Sequence, residues 1–177
     1  MIKRGLVTLF LFLTVLFMQG AEAKNKAASD NPPKVYKSDL DNDAKIEIIS
    51  VNPISGAGKE TRVTVTRRDH SDAGGFTVLG LFKKLEIIDL NEDGYKQIAV
   101  YSRSDDGFTN LVIYSFKNNE FSRVFSVGSK YGIDTDFHSS LSRIMVGKQR
   151  RVTDGPSYTD IPEWDVWVWS GEKFIRE

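Results

Sequence analysis

Cysteine is absent from all 177 residues, so no disulfide can brace the chain and no lipid can be attached to an N-terminal cysteine. Stability must come from core burial or from a bound metal. An excess of either charge is missing too, with 24 basic and 24 acidic residues, which removes nucleic acid and anionic membranes from the expected partners. The sequence holds no phosphate-binding glycine loop, no zinc-ligand spacing and no nucleophile elbow. Convincing amphipathic helices are lacking, and after residue 18 no apolar run approaches the ~20 residues needed to cross a bilayer.

What is present begins with a leader. Lys3 and Arg4 precede an uncharged apolar stretch from Leu6 to Met18, followed by Ala21-Glu22-Ala23. This is the pattern of a secretory signal over residues 1–23 with an A-x-A cleavage site. The mature chain is then expected to start near Lys24, secreted or periplasmic, with no membrane span after cleavage. Residues 24–34 include two prolines and no apolar period, and read as a flexible leader.

Residues 35–177 read as a single domain. Strand-like runs dominate it: Ile46 to Val51, Thr61 to Thr66, Leu85 to Ile88, Gln97 to Tyr101, Leu111 to Phe116, Phe121 to Val127, Leu141 to Val146 and Trp164 to Trp169. Turn-forming groups separate them, among them Ser71-Asp-Ala-Gly74-Gly75 and Ser104-Asp-Asp106-Gly107. The fold class is all-β and antiparallel.

Two internal repetitions organise these runs. Asp39-Leu-Asp41-Asn-Asp43-Ala44-Lys45-Ile-Glu47 returns 50 residues later as Asp89-Leu-Asn91-Glu-Asp93-Gly94-Tyr95-Lys-Gln97, each copy entering an apolar strand. Ile113-Tyr-Ser-Phe116-Lys-Asn-Asn-Glu-Phe121 likewise aligns with Val166-Trp167-Val-Trp169-Ser-Gly-Glu-Lys-Phe174 at an offset of 53. Both members of the second pair read as hairpins. Together they define about three units of roughly 50 residues, with bounds near 35–84, 85–127 and 128–177. A third acidic segment, Asp134-Thr-Asp136-Phe-His138, lacks the glycine and the later acid of the other two, and no calcium is expected there.

The acidic loops place side-chain oxygens at positions 1, 3, 5 and 9 of a tight turn, the spacing that lets them converge on one hard cation. The order of acidic loop, apolar strand, aromatic strand, polar turn and Phe resembles FG-GAP repeats and the related VCBS repeats. That resemblance covers most of residues 35–177. It implies propeller-blade-like four-stranded units tied by calcium, forming a partial propeller or compact stacked sheets. Carried over by position, the first calcium site would use Asp39, Asp41, Asp43 and Glu47 with the Lys45 carbonyl. The second would use Asp89, Asn91, Asp93 and Gln97 with the Tyr95 carbonyl. Ala44 stands where glycine is usual and should cost about 1 kcal/mol in strain. The second loop offers two carboxylates against four in the first, so it should bind calcium more weakly.

The resemblance implies a non-catalytic interaction module with a protein partner or self-association through sheet flanks. The alternative is a small secreted hydrolase or carbohydrate-binding domain using His138 or the Trp164–Trp169 strand, with a glycan as partner. Alternation places Trp164, Val166 and Val168 on one face of that strand and Trp167 and Trp169 on the other, which reads as a strand apolar on both faces and packed in a core. His70 and His138 fall in loops and form no recognised catalytic arrangement.

Overall fold

The computed structural model describes residues 33–54, 59–118, 120–139, 141–154 and 157–177. The segments expected to be a signal sequence and leader lie, up to residue 32, outside the described residues. The chain is all-β, with no helix among them. Lys34 already belongs to the first strand, so the leader is shorter than expected.

Three four-stranded antiparallel sheets follow one another along the chain. The first contains β1 (Lys34–Ser38), β2 (Glu47–Ile54), β3 (Glu60–Thr66) and β4 (Asp72–Leu79). The second contains β5 (Leu81–Ile88), β6 (Gln97–Arg103), β7 (Thr109–Lys117) and β8 (Glu120–Ser129). The third contains β9 (Ile133–Asp136), β10 (Arg143–Asp154), β11 (Ser157–Trp169) and β12 (Phe174–Arg176). Within each, consecutive strands are neighbours, and among the described residues no sheet closes into a barrel. The break between the first two sheets falls at Gly80, ahead of the expected boundary at residue 84. Gly80 has φ 93°, and a Cβ there would stand 2.8 Å from the Arg103 carbonyl oxygen, so the crossing requires glycine.

Side-chain alternation sets the layering. In β3, Val63 and Val65 are buried while Thr64 and Thr66 face outward. In β6 six successive residues from Gln97 to Ser102 are buried. Ile98 and Val100 join one core with Ile49, Val63 and Phe116; Ala99 and Tyr101 join a second with Leu111, Ile144 and Phe174. The second sheet is therefore the middle layer, covered on both faces, and a strand covered on both faces loses its polar alternation. The Tyr101 hydroxyl crosses the second interface, bonding Glu86 Oε2 at 2.9 Å and Thr135 Oγ1 at 2.6 Å. Burial raises its pKa above the ordinary phenol value.

The repeated hairpins occupy equivalent places. Phe116 pairs with Phe121 between β7 and β8, and Trp169 with Phe174 between β11 and β12; in each case the third strand of a sheet meets the fourth. Ring centroids lie 4.8 Å and 5.1 Å apart, within the range for favourable aromatic contact.

Several expectations are corrected. Ser71–Gly75 is not a turn: the turn closes earlier, with the Arg67 N–H donating to the Ser71 carbonyl at 2.9 Å, and β4 begins at Asp72. A register shift between Val65 and Thr66 leaves Ala73 unpaired as a bulge beside Gly74, which takes a positive φ, and both glycines stay paired with β3. Asp134 and Asp136 lie in β9, so the third acidic segment is largely strand. Trp164 is 50% exposed, not core. It pairs with Gly147 where β10 and β11 extend past β9 as a two-stranded ribbon. Trp167 and Trp169 do pack against the second core.

Candidate metal centre

Residues 39–46 connect β1 to β2, residues 89–96 connect β5 to β6, and residues 137–142 connect β9 to β10. Each loop thus occupies the same connection of its sheet.

The first two loops share one backbone design. In the first, Asp39 accepts from the N–H groups of Asp43 (3.3 Å) and Ala44 (3.0 Å), and Asp43 accepts from the N–H of Lys45 (2.8 Å). In the second, Asp89 accepts from Asp93 (3.2 Å) and Gly94 (2.8 Å), and Asp93 from Tyr95 (3.0 Å). Positions 4 and 6 are left-handed in both: Asn42 and Ala44 at φ 59° and 63°, Glu92 and Gly94 at 55° and 85°. The expected left-handed strain at Ala44 is present.

Position 9 has a role that spacing alone does not reveal. Glu47 and Gln97 are buried, at 1% and 5% exposure, each reaching back to the N–H of position 2. Leu40 donates to Glu47 Oε2 at 2.8 Å and Leu90 to Gln97 Oε1 at 3.0 Å. The two side chains then diverge. Gln97 Nε2 donates to the Tyr95 carbonyl at 2.8 Å. The carboxylate of Glu47 has no N–H to give, so the Lys45 carbonyl lacks that donor.

The first loop gathers negative charge. Carboxylate oxygens of Asp39, Asp41 and Asp43 lie within 4.8 Å of one another. Asp41 Oδ1 is buried and has no hydrogen-bond partner among the described residues. Desolvation is the main cause raising the Glu47 pKa, and repulsion from Asp41, Asp43 and Asp39 adds to it. A nearby cation is Lys45, whose ammonium sits 2.9 Å from Asp43 Oδ2 on the exposed side and lowers the Asp43 pKa by hydrogen bonding. An orphaned buried oxygen among four carboxylates suits a cation, and an all-oxygen donor set suits a hard one such as Ca²⁺ rather than zinc or copper.

In the second loop two more of the candidate oxygens are engaged. The Tyr95 carbonyl serves Gln97, and Asn91 Oδ1 accepts from the indole Nε1 of Trp169 at 2.8 Å. Asp89, Asn91 and Asp93 therefore hold the loop's own backbone and dock it on the third sheet. In the third connection, Asp136 accepts from the N–H groups of His138 (3.3 Å) and Ser139 (3.2 Å), which lower its pKa together with the Ser139 side chain, the largest cause.

The first two loops also touch. The Lys96 N–H donates to the Leu40 carbonyl at 2.9 Å, and Asn42 Nδ2 donates to the Asp93 carbonyl at 3.3 Å. Asn42 and Lys96 gave no signal in the sequence, because their partners lie some 50 residues away. Comparison with protein-family models, with curated proteins and with solved structures found no match to this chain.

Proposed function

We propose that this chain is an exported, calcium-stabilised β-repeat protein of FG-GAP or VCBS type, acting as a non-catalytic interaction module. The observation carrying this reading is the orphaned Asp41 Oδ1, buried in a cluster of carboxylates that is costly to assemble without a cation. Asp39, Asp41, Asp43 and Glu47, with the Lys45 carbonyl, would hold the ion. When bound, it supplies charge neutralisation and a clamp between β1 and β2. The second loop is structural, its cation replaced by the Gln97 amide. The signal-like N-terminus supports a secreted or periplasmic location, where calcium reaches millimolar levels. The outward faces of the first and third sheets are the flanks through which a protein partner or a second copy would bind.

At the tight end of the ~0.1–1 mM affinities of extracellular modules, millimolar calcium adds about 1.4 kcal/mol to stability. Thermal melts in calcium and in EDTA test this. A calcium-dependent rise of several degrees, lost in Asp41→Asn and in Asp39→Ala, is expected. Identical melts in calcium and EDTA would remove the reading.

A further inference from the structure

A cleft of about 610 Å³ lies between the second loop and the β9–β10 connection, within the size range of small-ligand sites. Nothing in the cation reading uses it, and no ligand of the first loop lines it. Its floor is apolar, formed by Ile88, Leu90 and Phe137 at the end of the second core. Trp169 forms a wall, its indole fixed by the bond to Asn91. Glu92 lines it from the second loop, and His138 and Ser139 from the facing connection. The side chains of Glu92 and His138 make no hydrogen bond among the described residues, although the His138 ring helps to lower the Asp136 pKa, so their polar atoms can turn to a ligand.

We propose that this cleft binds a short uncharged saccharide. The lining selects that class. A phosphorylated ligand would meet Glu92 and Asp89 as well as Lys96, so the charge is mixed rather than basic. A wholly apolar ligand would strand the polar groups at the rim, which is costly. A pyranose is amphipathic in the matching way. Its C–H face packs on an aromatic ring, as over Trp169. Its hydroxyls both donate and accept, and so pair with the acceptor Glu92, the donor or acceptor His138 and the Ser139 hydroxyl as an acceptor, since its own proton goes to the Leu141 carbonyl. His138 and Trp169, 31 residues apart in sequence, contribute to one site as binding groups. Trp164, on the ribbon, does not.

The test is an array of immobilised neutral and N-acetylated oligosaccharides probed with the full mature chain, then titration of the retained sugar by tryptophan fluorescence. Saturable binding is expected, weakened about tenfold or more in Trp169→Ala. Because Trp169 also packs on Phe174, the exposed-loop variants Glu92→Gln and His138→Ala provide a second reading at an unchanged melting temperature. Both should weaken binding, and Trp164→Ala should leave it intact. Retention of no sugar on the array overturns the proposal. So does binding that survives Glu92→Gln and His138→Ala but is lost in Trp164→Ala, which would place the site on the ribbon.

Discussion

Ala44 and Gly94 hold the same left-handed conformation at equivalent positions of two loops, but only Gly94 is free of a Cβ penalty. Relieving that strain with Ala44→Gly gains about 1–2 kcal/mol, offset by about 0.4–1 kcal/mol from the greater freedom of the unfolded chain. The net expectation is a gain of roughly 0.5–1 kcal/mol, seen as a higher urea midpoint at constant slope. Gly94→Ala should lose more than this gain, because its new Cβ would fall 2.6 Å from Asn42 Nδ2. A shared loss in Asn42→Ala, with no further loss on adding Gly94→Ala, would show that the clash dominates. The need for glycine at position 6 was legible from loop spacing. The Asn42 contact was not, since it joins two loops that only the folded sheets bring together.

The position-9 side chains extend the comparison from residue to element, since each closes one loop over one strand start. Gln97 supplies an acceptor and a donor; Glu47 supplies an acceptor and a charge. Exchanging them should exchange the loops' behaviour. Gln97→Glu removes the donor to the Tyr95 carbonyl and buries a charge, costing roughly 2–3 kcal/mol in EDTA. Calcium should restore part of that loss and add a second binding event in calorimetry. Glu47→Gln should make the metal-free protein more stable and its melt insensitive to calcium. If the Gln97→Glu protein ignores calcium while the Glu47→Gln protein still needs it, the amide is not standing in for a cation.

The strands that sequence reading missed share a physical trait. β1, β4 and β9 are all edge strands of the first or third sheet. Edge strands tend to be short, charged or broken by glycine, which blunts pairing with other chains. β1 carries two lysines, β4 a Gly-Gly pair and β9 two aspartates. The apolar alternation that reveals a strand was therefore weakest where neighbours cover least. The middle sheet was legible in all four strands, most clearly in β6, which is buried on both faces. The same logic explains Trp164: its run looked like core, but the run alone does not say where the covering sheet ends.

Across the described residues, the three sheets are joined by two cores, with the first two acidic loops in contact. That contact gives the proposed cation a reach beyond its own loop. Leu40 links the pieces: its N–H donates to Glu47, its carbonyl accepts from Lys96 of the next loop, and its side chain is buried in the first core. Loss of the ion should loosen this junction first, because repulsion among Asp39, Asp41, Asp43 and Glu47 pushes the Leu40 segment away from β2. Amide hydrogen exchange in EDTA against calcium reads that directly. The amides of Leu40 and Lys96 should lose protection, while those of Ile144 and Val146 in β10, on the far side of the middle sheet, should keep it, because sub-global opening follows local contacts. Uniform loss across all three sheets would mean that the ion acts only through global stability, and unchanged exchange at Lys96 would mean that the two loops are not coupled through Leu40.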